Sequence, residues 1–168
     1  GTTEIMLLQR GKMVAAHSLR IGTIRLEQEG RPLWSDAGQV EEFMRESIRV
    51  SHDLLNSELK LDRIRYFVAV GGDARQVAHA VGTREEEHYW SIARADFFRY
   101  LNELQDRTAE EIVRHYNMTY NEAEGLVPAL TIYRLFLEST SADQLIVPDV
   151  SIREGVLMSF ALGSDWAV

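Results

Sequence analysis

The chain has 168 residues, 45% of them hydrophobic and 26% charged, with 11 Gly, 3 Pro and no Cys, an ordinary globular composition that rules out a collagenous or disordered class. A single domain of this size buries roughly 70% of the surface of its unfolded chain, and the lack of cysteine excludes a disulfide scaffold, a zinc ribbon and a thiol nucleophile together and agrees with a cytoplasmic location. With 18 basic against 26 acidic residues and a net charge of -8, broad binding to nucleic acid is not expected, although one or two arginines and a few backbone N–H groups suffice for a local anion site. No apolar run approaches the roughly 20 residues of a spanning helix, and Gly1-Thr2-Thr3-Glu4-Ile5 lacks the basic and apolar regions of a signal peptide, so neither a membrane anchor nor export is expected.

Residues 2–9 and 12–21 are apolar, strand-length runs separated by Arg10-Gly11 and read as a β-hairpin; residues 23–27 alternate polar and apolar and read as a third strand. After a loop with Gly30, Pro32 and Gly38, apolar residues recur at Val40, Phe43, Met44, Ile48 and Leu55, the period of an amphipathic helix, with Ser35 or Asp36 as its cap. Residues 64–70 become continuously apolar and run into Gly71-Gly72, as a buried strand leading to a tight turn would. A short helix over 73–81 follows, stopped at Gly82. From Tyr89 onward the pattern reads as helical. Thr108 with Glu111, and Thr119 with Glu122, have capping-box spacing and mark two helix starts. The second opens an apolar stretch from Ala123 to Leu137 in which Pro128 should kink or break the helix. A last strand at 144–148 leads into a helix from about Ile152 to Leu162. The order predicts an α/β domain with a mixed sheet of five strands, the runs at 64–70 and 144–148 inside and helices on both faces.

Two places favour an anion. Gly1-Thr2-Thr3-Glu4 precedes the hairpin, where small residues and hydroxyls can point donors at a ligand, but taken alone it reads first as an ordinary strand start. Gly71-Gly72 lies between a strand and a helix, where phosphates bind in α/β proteins, and reads equally as a plain turn. The histidines at 17, 52, 79, 88 and 115 lack zinc-site spacing, and Glu85-Glu86-Glu87 reads as a solvated helix start.

Taken together, the motifs resemble one family. Gly1-Thr2-Thr3-Glu4-Ile5 is similar to the end of the DxGGGSTE phosphate motif of the exopolyphosphatase and guanosine pentaphosphate phosphatase (Ppx/GppA) family, and residues 18–26 (SLRIGTIRL) resemble its SLPLGAVRL segment. Residues 70–78 (VGGDARQVA) look like the GGTARxLA segment and residues 152–157 (IREGVL) like LREGLL, while Pro128 falls where the family has a proline in its RADVIVPAG helix. The sequence departs from these patterns at Asp73, where the family has threonine, at Glu122, where it usually has arginine, and at Glu124, where it has aspartate.

The resemblance implies an actin-like (ASKHA, ribonuclease H-like) lobe, with residues 1–168 forming a single domain that is the second of two lobes, the first absent from this chain. It implies a Mg²⁺-dependent acid anhydride hydrolase that releases terminal phosphate from inorganic polyphosphate or guanosine pentaphosphate. Gly1, Thr2, Thr3, Gly71, Gly72 and Arg75 would bind phosphate and Glu4 would serve the metal. The water-activating carboxylate would lie in the absent lobe, so no catalytic residue is expected here and the chain alone should be inactive. The expected partners are the substrate and the N-terminal lobe of the same protein, with homodimerisation left open. The carboxylate of Asp73 should repel an anion or favour a metal bridge. That leaves a second reading, a regulatory lobe that binds phosphate or nucleotide without turnover, and a third, an α/β scaffold that dimerises through its helices.

Overall fold

The computed structural model describes residues 3–19, 37–85, 88–150 and 152–161. β1 (Thr3–Gln9) and β2 (Lys12–Leu19) pair antiparallel, Glu4 opposite Ser18 and Gln9 opposite Lys12. Both turn residues have positive φ, 52° at Arg10 and 74° at Gly11, the condition for a two-residue turn whose twist matches the strands. The expected third strand at 23–27, residues 20–21 of the hairpin and the Ser35 or Asp36 cap lie outside the described residues.

α1 (Ala37–Leu59) follows, then a 3₁₀ turn over Leu61–Arg63. The strand expected at 64–70 is shorter. Only Phe67–Val68 (β3) joins a ladder, parallel to β6 (Gln144–Pro148). The backbone of Ile64 is committed elsewhere: its N–H bonds to the Leu61 carbonyl and its carbonyl accepts from the N–H of Ser141, each at 2.9 Å. Val68 and Val70 are exposed while Ala69 is buried, so this run alternates and forms an edge of its sheet instead of an interior strand.

α2 (Gly72–Val81) leads to β4 (Thr83–Glu85) and β5 (Tyr89–Ala93). The helical reading from Tyr89 is corrected here: helix α3 (Arg94–Gln105) begins five residues later. Tyr89, Trp90 and Ile92 are strand-favouring residues, and Ile92 is fully buried where β5 runs antiparallel to β6. Glu85, expected in a solvated helix start, is in β4 and accepts a hydrogen bond from Ser91 Oγ at 2.8 Å. Among the described residues the strands form a two-stranded sheet, β1-β2, and a four-stranded mixed sheet ordered β3-β6-β5-β4, in place of one five-stranded sheet.

α4 (Ala109–Tyr116) and α5 (Tyr120–Glu138) both start with the expected capping boxes. At the second, the Glu122 carboxylate accepts from the backbone N–H and the hydroxyl of Thr119, each at 2.8 Å, and the Glu122 N–H donates back to Thr119 Oγ1 at 3.3 Å. Thr119→Ala should therefore cost about 1 kcal/mol, read as a lower urea midpoint with an unchanged m-value.

Pro128 does not break α5, which is continuous from Tyr120 to Glu138. From Ala123 on, the helix is largely buried between two cores, and this packing carries it through the missing backbone donor. On one side Leu126, Leu130 and Leu137 meet Val77 of α2, Phe97, Leu101 and Leu104 of α3, Ile112 of α4, and Ile92, Leu145 and Val147 of the mixed sheet. On the other, Ile132, Leu135 and Phe136 meet Leu19 of β2, Ile48 and Leu55 of α1, and Leu61. Arg94, at the β5–α3 junction, donates to the carbonyls of Glu138 and Thr140 at 3.2 and 3.1 Å, placing a cation on the negative end of the α5 dipole. α6 (Ile152–Ala161) closes the described chain. Among the described residues no helix is long and apolar enough to cross a membrane.

Candidate functional site at the glycine turn

The link from β3 to α2 passes through Gly71, whose φ of 154° and ψ of 171° belong to a region essentially reserved for glycine. As the N-cap residue it supplies no side-chain cap, so the first N–H groups of α2, with the positive end of the helix dipole, remain directed at the turn. The Gly71 carbonyl accepts from the N–H of Arg75 at 3.2 Å, and the half-buried Arg75 adds a cation to the first turn.

The two glycines differ. A Cβ on Gly71 would lie 3.3 Å from the Tyr133 hydroxyl, whereas one on Gly72 would meet nothing within 4 Å. Gly71→Ala should thus cost about 1–3 kcal/mol from backbone strain. Gly72→Ala, at a helical position, should be neutral or stabilising by up to about 1 kcal/mol. Thermal melts of the two variants check this, and equal losses would refute the asymmetry.

Asp73 and Tyr133 flank the turn. Burial raises the pKa of the Asp73 carboxyl, a hydrogen bond to its own backbone partly offsets this, and the charge of Glu122 raises it further. Tyr133 is pushed up to about 12 by burial and by the Asp73 charge. Tyr133 was not legible as a site residue: it stands within an apolar run on α5, and only its polar tip in that setting could have drawn notice. The charge reversal at Glu122 has a structural account, since this carboxylate closes the α5 capping box, which holds its pKa below the usual range.

Of the candidate residues, Gly71, Gly72 and Arg75 form one continuous turn. Thr3 and Glu4 stand at the start of β1, and Ile5 and Phe67 pack against the same core, so the hairpin and the strand ahead of the glycine turn share one foundation. Gly1 and Thr2 lie outside the described residues. Glu4 is exposed, and its Oε1 accepts from Ser18 Oγ at 2.8 Å. Among the described residues no three His, Cys, Asp or Glu side chains are grouped to hold a metal ion. Glu4 alone nevertheless fits Mg²⁺, which is commonly held by one or two carboxylates with waters and substrate phosphates.

A second polar group, on the far side of α5, has a different character. His52 Nε2 lies 2.6 Å from Ser139 Oγ, and its Nδ1 is 3.6 Å from Asp53 Oδ1. The Ser139 hydroxyl donates to the Leu135 carbonyl at 3.2 Å, which leaves the imidazole as donor to the serine oxygen. That polarity is the reverse of what general-base activation of a serine requires.

Comparison with known proteins decides the family. The sequence matches the Ppx/GppA phosphatase family over residues 1–163. The chain belongs to that family. This Ppx/GppA chain also superposes on solved structures. A family member from Aquifex aeolicus is 22% identical with a TM-score of 0.70, matching 98% of this chain and 54% of its own. An exopolyphosphatase from Cytophaga hutchinsonii is 19% identical with a TM-score of 0.75, matching 97% of this chain and 55% of its own. A further Aquifex aeolicus Ppx/GppA enzyme is 21% identical with a TM-score of 0.74. These likenesses establish the mixed α/β, actin-like fold, and the chain spans little more than half the length of those structures. No curated protein matches the sequence.

Proposed function

We propose that this Ppx/GppA chain is the second lobe of a Mg²⁺-dependent phosphoanhydride hydrolase that releases terminal phosphate from inorganic polyphosphate or guanosine pentaphosphate in the cytoplasm. Within the family, the observation that carries the reading is the glycine turn, an N-cap in a glycine-only conformation that supplies no side-chain cap to α2 and lies beside Arg75. In this reading Gly71, Gly72 and Arg75 hold one part of the phosphate chain, and Gly1, Thr2 and Thr3 hold another from the hairpin. Phosphoryl transfer spreads negative charge over the phosphoryl oxygens, so fixed backbone donors stabilise it without reorganising. Bound Mg²⁺ would supply further charge neutralisation, with Glu4 as its protein ligand. The first lobe would close the cleft and bring the carboxylate that activates water.

Asp73 favours the second reading, a phosphate- or nucleotide-binding lobe without turnover, because a carboxylate at the turn opposes an anion. One assay separates the readings: phosphate release from both substrates over a Mg²⁺ titration, by this chain and by the longer protein containing a first lobe. The chain alone is expected to release none, since without an opposing lobe the site stays wet and water is not positioned. Turnover by the longer protein supports the hydrolase. Binding without turnover supports the regulatory lobe, and robust turnover by the chain alone would refute the two-lobe assignment.

A further inference from the structure

We infer that α6 is the docking helix for the first lobe, its Leu157, Met158 and Phe160 seated against an apolar surface of that lobe; this rests on the two-lobe reading given above. Three observations converge. First, these three side chains are 67%, 58% and 78% exposed, and among the α6 residues whose side chains are described none is buried and none joins either core. Second, at 3.6 residues per turn they spread over about 160° of the helix circumference, more than the stripe of roughly 100° with which a surface helix meets a core. Three large apolar side chains set together on an open helix mark an interaction surface. Third, the solved family structures match 97–98% of this chain but only 54–55% of their own length, so in them a body of nearly equal size accompanies this fold. The first lobe is the occupant of that size.

The position of α6 suits the role. It follows β6 after Asp149-Val150-Ser151, and Leu145 and Val147 of β6 are fully buried in the core that includes Phe97. β6 pairs with both β5 and β3, and β3 leads into the glycine turn. A contact made at α6 is therefore tied, through β6, to the sheet that carries Gly71 and Gly72. Two lobes joined only by chain move relative to one another unless a hydrophobic interface holds them, whereas setting water against a phosphate held on the other lobe needs a fixed geometry. A two-fold contact between copies would also cover Leu157, Met158 and Phe160, but it would leave that requirement unmet.

The test measures amide hydrogen exchange in α6 for this chain and for the longer protein containing a first lobe, each as wild type and as the double variant Leu157→Gln, Phe160→Gln, which keeps good helix formers at both positions. The α6 amides should exchange slower in the longer protein than in the chain by a factor on the order of ten or more. The double variant should abolish that difference and lower phosphate release by the longer protein, while leaving the melting temperature of the chain alone unchanged. A drop in that melting temperature would show that these side chains serve the lobe's own packing and would overturn the docking role. Equal exchange in the chain and in the longer protein, with the longer protein releasing phosphate, would also overturn it and leave the two-lobe reading standing. Sedimentation of the chain alone covers the other occupant: a wild-type dimer that the double variant converts to monomer would assign the face to a second copy. Robust phosphate release by the chain alone would refute the two-lobe reading itself, and the docking role with it.

Discussion

Phe97→Ala should destabilise the protein by about 3–5 kcal/mol, the range for removing a buried aromatic ring. Phe97 is fully buried on the first turn of α3, in the core that joins α2, α3, α4, α5 and the mixed sheet. Its ring lies 5.9 Å from that of Phe98, whose outer face is covered by Arg94 at 5.4 Å and Arg134 at 5.2 Å. Truncation leaves a cavity next to a clamped neighbour, so little of the volume can be recovered by collapse. Against a total stability of about 5–15 kcal/mol, the loss takes a large share. At about 2–4 °C per kcal/mol for a chain of this length, the melting temperature should fall by about 10 °C. A loss below about 1 kcal/mol in urea titrations would show that this core is not packed as one unit.

The parts of the fold legible in the sequence are those with local causes. Arg10-Gly11 sets the hairpin turn, the Thr-x-x-Glu pairs start α4 and α5, and a glycine on either side bounds α2. Each signal acts within four residues. β4 and β5 are different, since Tyr89–Ala93 lies between the short strand Thr83–Glu85 and Gln144–Pro148, and the second partner is far along the chain. Its aromatic and β-branched residues favour a strand, but the helical period of the residues that follow masks so short a run. The strand at 64–70 misleads for a related reason: a continuous apolar run reads as buried on both faces, yet at the sheet edge only alternate residues of 67–70 turn inward.

The candidate site divides in the same way. Gly71 and Gly72 can be placed from their position between a strand and a helix, and Gly71 is the N-cap of α2 with a φ of 154°. Tyr133 cannot, because nothing in the run from Leu126 to Leu137 ties it to a glycine turn many residues earlier; only the packing of α5 against α2 brings them together. Glu122 shows the opposite error. Set against the family pattern it stands out as a charge reversal close to the glycine turn, whereas locally it is the third residue of a capping box, and both of its short contacts go to Thr119. Asp73 has no such structural employment beyond its own backbone, and its burial beside Tyr133 gives it electrostatic weight at the turn.

In the longer protein that we propose contains this lobe, Glu4→Gln should lower Mg²⁺-dependent phosphate release by a factor on the order of 10², the upper range for loss of a metal-site interaction. The fold should be unaffected. Glu4 is exposed, and its hydrogen bond from Ser18 Oγ to Oε1 at 2.8 Å is kept by the glutamine carbonyl. What the substitution removes is charge: an amide oxygen is a far weaker partner for a hard dication than a carboxylate. Ser18→Ala tests the supporting contact. It frees the carboxylate from its cross-strand partner and should raise the Mg²⁺ concentration needed for half-maximal release, with little change at saturating Mg²⁺, because the ligand is still present but less well oriented. The pair separates charge from orientation, since only the glutamine variant should stay slow at high Mg²⁺. Wild-type rates and Mg²⁺ dependence in Glu4→Gln would refute the metal role of Glu4 and leave the family, the fold and the glycine turn untouched.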